Sequence, residues 1–269
     1  MKFGLQMSSL KKFLQTPQDV LETFKKVKTI GYNYVQIEWI NEDVSIESIK
    51  ESLDKAELVC VGTQDSFNDV FNNTDKIIKR NLLWQAKYIC GAVNIPSENS
   101  EMLELADKIN SVSKKVNENG LILEIHPMFT SFIMVGNTAV SLLDMMWEHL
   151  DYNILLQPDF YHVVRGKSDP VRLIERYNGR IANAHFKDFK ILNENLDMSQ
   201  LHNFDPLKQG DFPVTPVGQG IVPYKEIIEA CIEHGVKYAW AEQEAWDKDP
   251  FECMKESFEY LAGMRLETK

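Results

Sequence analysis

A chain of 269 residues, 44% hydrophobic and 26% charged, has the composition of one or two globular domains and excludes collagen, coiled coil and wholesale disorder. Forty Asp and Glu against 29 Lys and Arg leave a formal charge of −11, so nucleic acid and anionic membrane surfaces are not expected partners. The charge-free stretch 127–143 is broken too often by Thr130, Ser131, Gly136, Asn137, Thr138 and Ser141 for a membrane span, and residues 3–10 make a poor signal peptide, so the expected location is the cytoplasm.

Along the chain, β-rich runs at 2–7, 34–38, 58–64, 88–93, 121–126, 154–159, 181–186 and 238–243 alternate with amphipathic helical segments. After the first run, Val20, Leu21, Phe24, Val27 and Ile30 fall on one helical stripe, and Gly31 stops that helix just ahead of the next strand. Gly120 and Gly235 stop later helices in the same way, and Pro17, Pro170, Pro223 and Pro250 stand at or near helix starts, where a missing N–H costs nothing. Parallel strands this close in sequence need helical crossovers. The expected fold class is therefore α/β, a single (β/α)8 TIM barrel spanning 1–269 with no linker or second domain. A doubly wound sheet would need a Gly-rich phosphate turn after the first strand, where Gly4 stands alone. The connection 187–223 exceeds the usual loop length and reads as a lid or binding loop. Cys60, Cys90, Cys231 and Cys253 have no CxxC spacing and read as buried thiols.

In such a barrel, function collects at the C-terminal ends of the strands. The fifth to eighth runs end in Glu124-Ile125-His126, Gln157-Pro158-Asp159, His185-Phe186-Lys187-Asp188 and Glu242-Gln243-Glu244. Residues two apart on a strand share a face, so Glu124 and His126 point together, as do His185 and Lys187, and Glu242 and Glu244. Three carboxylates and an imidazole converging on one spot would repel each other without a cation. Glu124, Asp159, His185 and Glu242 thus form the expected site for one divalent metal, with Mn²⁺, Mg²⁺ or Co²⁺ favoured and Zn²⁺ or Fe²⁺ left open.

Six segments in order, among them Leu123-Glu124-Ile125-His126-Pro127, Asp159-Phe160-Tyr161-His162, His185-Phe186-Lys187-Asp188 and Ala241-Glu242-Gln243-Glu244, resemble the motifs of the xylose isomerase-like sugar isomerase/epimerase barrels. The resemblance spans nearly the whole chain. It implies that Glu124, Asp159, His185 and Glu242 bind the metal, with Glu242 preferred over Glu244, and that His162 and Lys187 contact substrate. His126, beside Glu124 on the same face, is added to the expected substrate contacts. Two features depart from the ketose-epimerase branch: Ile191 stands where an arginine is common, and Gln36 where an acid is usual.

The chemistry such a site suggests is proton removal beside a carbonyl, with Glu124 and Glu242 as base and acid and the metal steadying the developing enediolate. The leading expectation is a sugar isomerase or epimerase acting on a small ketose, aldose or polyol-derived carbonyl compound. A dehydratase acting on a keto-inositol or related cyclic ketone is the runner-up. A DNA-repair nuclease and a non-catalytic carbohydrate-binding barrel weigh less, the former because the chain is acidic and has only six histidines. Trp39, Phe67, Phe129, Phe160 and Trp246 follow strand ends and are candidates to pack on sugar C–H groups. Gly218-Gln219-Gly220 is a weak phosphate signal, and His149, His202 and His234 read as surface residues. The oligomeric state, a homo-oligomer included, is left open.

Overall fold

The computed structural model describes residues 1–190 and 213–267. Among the described residues ten strands follow in chain order: β1 (Lys2–Gln6), β2 (Tyr34–Ile37), β3 (Val59–Ser66), β4 (Tyr88–Val93), β5 (Ile122–Pro127), β6 (Leu155–Leu156), β7 (Asn183–Phe186), β8 (Asp188–Phe189), β9 (Val214–Thr215) and β10 (Tyr238–Ala241). Eight of them form one parallel sheet in the order β6-β5-β4-β3-β2-β1-β10-β7. The ends of that sheet meet through the parallel bridges Leu156↔Ile181 and Asp159↔His185, which close it into the expected barrel with helices outside.

The helix Pro17–Ile30 shows how local chemistry sets each crossover. The Thr16 side chain accepts from the Asp19 N–H at its start, Pro17 occupies the first turn, and Gly31 ends it at φ 125°. Val20, Phe24 and Val27 are buried against the barrel, each contributing about 1.5–3 kcal/mol. On the strands, the outward residues Leu123, Ile125, Ala184, Phe186, Ala239 and Ala241 join the main hydrophobic core. Their neighbours one residue away point into the barrel. Trp240 fills its lower interior, and Gly4 leaves the room: a Cβ there would lie 2.3 Å from the indole.

Two segments differ from expectation. The run 154–159 keeps only Leu155–Leu156 as strand, because Pro158 has no N–H for the ladder and Asp159 turns aside to cap the helix Phe160–Arg165. The carbonyl of Pro158 still accepts from the His185 N–H at 2.8 Å, which keeps Asp159 beside β7. In the long connection, β8 and β9 form a two-stranded antiparallel ribbon. Residues 191–212, which include Ile191, His202 and most of the expected lid, lie outside the described residues. The Gly218–Gly220 turn packs on this ribbon: the N–H groups of Phe189, Gly218, Gly220 and Val222 all donate to the Asp188 carboxylate at 2.9–3.1 Å. The anion held by this turn is the chain's own side chain. All four cysteines are buried thiols, and no helix among the described residues is long and apolar enough to cross a membrane.

Candidate active site

The C-terminal ends of β5, β7 and β10, with the residues after β6, bring six of the seven expected side chains together. Asp159, His185 and Glu242 each offer one ligand atom, and these lie within 4.8 Å of one another. His126, Asp159 and His162 form a second such group, so Asp159 belongs to both. His126 and His162 meet edge to face with centroids 5.8 Å apart, and His126 lies 4.7 Å from His185. Lys187 completes the cluster, its Nζ 3.6 Å from Glu242 Oε1 and 2.5 Å from Glu244 Oε2. Glu124 is placed differently. Both of its oxygens accept from Asn183 Nδ2, at 2.7 and 2.8 Å, and Oε2 also accepts from Gln157 Nε2 at 2.9 Å, so it belongs to neither ligand group.

A line of amides runs from Glu124 to the histidine of β7. Gln157 gives its N–H to Glu124 and so turns its carbonyl to Gln36, whose Nε2 donates at 3.0 Å. Gln36 in turn presents its own carbonyl to His185 Nε2 at 2.7 Å. The Gln36 carbonyl thus accepts from His185 Nε2–H, while Nδ1 lies 2.6 Å from Glu242 Oε2, a contact that needs a proton or a cation between the two atoms. Asp159 Oδ2, His126 Nδ1 and His162 Nδ1 add buried polar atoms with no hydrogen-bond partner among the described residues. Each such atom costs about 1–3 kcal/mol unless something fills it. Two carboxylates with imidazole nitrogens at hand are a donor set that a divalent first-row cation or Zn²⁺ fits.

Burial governs the protonation of the cluster. It pushes Glu124 up to about 8 against the bonds from Asn183 and Gln157, and Asp159 up to about 7 against Lys187 and His185. It pulls His126 down to about 3, with the charge of His185 adding to the effect, and holds His162 well below the usual imidazole range together with Lys187. For Glu242 burial acts upward, yet Lys187 and His185 outweigh it and keep the carboxylate ionised far below its ordinary range. Lys187 is the mirror case: burial favours the amine, but Glu242, Glu244 and Asp159 hold the ammonium well above its ordinary value.

Several participants were missed in the sequence. Gln157 and Asn183 stand two residues before Asp159 and His185, so the period of two that grouped the charged residues also points them inward. In the sequence Gln36 stands out only as a departure from a family pattern. Glu38, Gln6 and Gln64 extend the same polar layer, Glu38 accepting from Gln6 at 3.1 Å and from Gln64 at 3.3 Å. Of the aromatic candidates, Phe67 and Phe160 are core residues, whereas Trp39 is 62% exposed.

Known proteins share the barrel. A sugar phosphate isomerase/epimerase from Parabacteroides distasonis superposes with a TM-score of 0.76 at 18% identity, covering 97% of this chain and 93% of that one. A zinc-bound IOLI protein gives 0.73 at 13%, with 98% of each chain covered. At these identities the likeness is one of fold. The inosose dehydratase of Lacticaseibacillus casei is 32% identical over 168 residues, 60% of this chain and 54% of that protein; that of Clostridium beijerinckii is 23% identical over 162 residues, 58% and 52%. The matched stretch thus spans about half the length of these curated relatives. The sequence model of the xylose isomerase-like TIM barrel matches residues 24–264, and the chain belongs to that family.

Proposed function

We infer that this chain is a metal-dependent lyase that removes a proton beside the carbonyl of a small polyhydroxy ring ketone and expels a β-hydroxyl as water. The observation that carries this is the asymmetry of the two acidic residues: Glu242 stands beside an ammonium, while both oxygens of Glu124 are engaged by amides. Epimerisation uses a base on each face of one carbon. Elimination uses one base and one acid of a different kind, which Glu242 and Lys187 supply.

Asp159, His185 and Glu242 would hold the cation, with His126 and His162 beside them. When bound, it supplies Lewis-acid polarisation of the substrate carbonyl. Glu242, kept ionised, takes the carbon-bound proton. Lys187, kept protonated by Glu242, Glu244 and Asp159, donates to the departing hydroxyl oxygen as its C–O bond breaks. The proton on Glu242 then returns to Lys187 Nζ, 3.6 Å away, through one bridging water, and both groups are restored. His126 and His162, held neutral by burial, offer hydrogen bonds to substrate hydroxyls without adding charge. The inosose dehydratase names of the curated relatives support the same choice.

Sugar isomerisation or epimerisation is the alternative, favoured by one observation. Burial pushes Glu124 up to about 8, near physiological pH, which gives the barrel interior a second carboxyl able to exchange a proton. Incubating the protein with keto-inositols and ketoses in D₂O, loaded in turn with Mn²⁺, Mg²⁺, Co²⁺, Zn²⁺ or Fe²⁺, separates the two. A product lighter by one water supports the lyase. Deuterium uptake with the formula retained assigns the isomerase or epimerase instead, and no exchange with any metal sinks both.

A further inference from the structure

We propose that the barrel mouth carries a second subsite, centred on Trp39, that takes a hexopyranosyl ring joined to the reacting compound. This deepens the function proposed above and relies on it for where the reacting ring sits. Trp39 follows β2 directly and adopts φ 61°, a left-handed conformation rare and strained for a bulky side chain. Strain of this kind persists where the surroundings enforce it, and here it holds a large apolar ring out in solvent. Lys11 lies over the indole, 5.6 Å from the ring, yet Trp39 remains 62% exposed. It lines an open groove of about 520 Å³ together with Lys11, Lys12, Gln15, Asn41 and Glu42.

The segments that form both walls also touch the catalytic cluster. Lys11 and Lys12 belong to the 3₁₀ segment Met7–Phe13, whose Ser8 hydroxyl donates to Glu242 Oε1 at 3.4 Å. Trp39 adjoins Glu38, whose Oε2 accepts from Gln6 Nε2 at 3.1 Å, and the same Nε2 donates at 3.4 Å to Gln36 Oε1, the partner of His185. The two walls are tied to each other by the bonds Asn41 N–H to Leu14 carbonyl at 3.0 Å and Asn41 Nδ2 to Gln15 Oε1 at 3.3 Å, so the groove is preformed.

Its chemistry selects the occupant. A pyranose has apolar C–H faces that suit an indole and hydroxyls that both donate and accept, matched by the ammonium, amide and carboxylate groups of Lys12, Gln15, Asn41 and Glu42. Lys11 and Lys12 would draw a lone phosphate despite Glu42, but a phosphate leaves the indole face uncovered, so it serves as the competing probe. The preferred substrate would then be a glycoside whose second ring rests on Trp39.

The test follows the five tryptophan indole N–H signals of the ¹⁵N-labelled full chain, with that of Trp39 identified by its loss in Trp39→Phe. Methyl gluco-, galacto- and mannopyranosides and cellobiose are titrated in, with inorganic phosphate as the competing probe. At least one glycoside should shift the Trp39 signal saturably. Measured by isothermal titration calorimetry, Trp39→Ala, with the other four signals in place to show that it folds, should bind that glycoside roughly three- to tenfold more weakly than the parent chain, and Trp39→Phe should lose less. Silence of the Trp39 signal towards every glycoside overturns the proposal, as does a response to phosphate alone. Binding here needs no turnover, so a failed D₂O experiment with intact glycoside binding discards the lyase and keeps the subsite.

Discussion

His185 has a different neighbour on each ring nitrogen, and this asymmetry decides which nitrogen can meet a cation. Gln36 is the neighbour that matters for preorganisation, because its carbonyl takes the Nε2 proton and its amide passes the constraint back to Gln157 and Glu124. Gln36→Met is therefore expected to weaken Mn²⁺ and Zn²⁺ binding by about 10- to 100-fold, measured by competition with a chromophoric chelator, although Gln36 is outside both ligand groups. Unchanged affinity would mean that His185 finds its orientation without the amide line. At the reacting end, Glu242→Gln should lose metal and turnover together. Lys187→Met should lower kcat by about 100-fold or more with the metal still bound, as metal analysis alongside kinetics would show. Glu244→Gln should cost less than either, because Glu244 acts on the cluster through its 2.5 Å contact with Lys187. If Glu244→Gln were the most damaging of the three, the roles of Glu242 and Glu244 would have to be exchanged.

Among the elements, the turn after β9 shows a motif whose sequence suggests one task and whose structure gives it another. Asp188 fills the nest of N–H groups that includes those of Gly218 and Gly220, and a Cβ at Gly220 would lie 2.1 Å from Asp188 Oδ1. Gly220→Ala should therefore destabilise the protein by about 1–3 kcal/mol, read as a lower urea midpoint with an unchanged slope. A stability equal to that of the parent chain would show that the Asp188 contact is not needed. The same segment marks the limit of what a sequence makes legible. Strands such as β4 and β5, six residues each, carry enough pattern to be read, and Gly31 announces the end of its helix. The ribbon strands are two residues each and have no period to find. At the site, charged residues were visible because convergent charge demands an explanation. The amides Gln157 and Asn183 carried no such demand, and the placement of Glu124 depends on them.

For the molecule as a whole, the barrel buries its ionisable cluster, and that has consequences for stability. Glu124, at about 8, and Asp159, at about 7, are both raised above their ordinary carboxylate values, chiefly by burial. A carboxyl group raised by folding contributes stability that is fully present below its unfolded value and is lost as pH rises through its folded value. The metal-free protein should therefore lose stability between about pH 4 and pH 8 from these two groups, and a cation that binds ionised Asp159 should restore part of that loss. Stabilisation by Mn²⁺ or Zn²⁺ is expected to grow across the same window. At a free metal concentration about 100 times Kd it reaches about 2.7 kcal/mol, or a Tm rise of several degrees for a chain of this size. Thermal scans at pH 5.5 and pH 8, with metal and with EDTA, measure it, and Asp159→Asn should abolish most of the difference. A metal-induced rise that is the same at both pH values, or that survives Asp159→Asn, would put the cation elsewhere than on the carboxylate shared by both ligand groups.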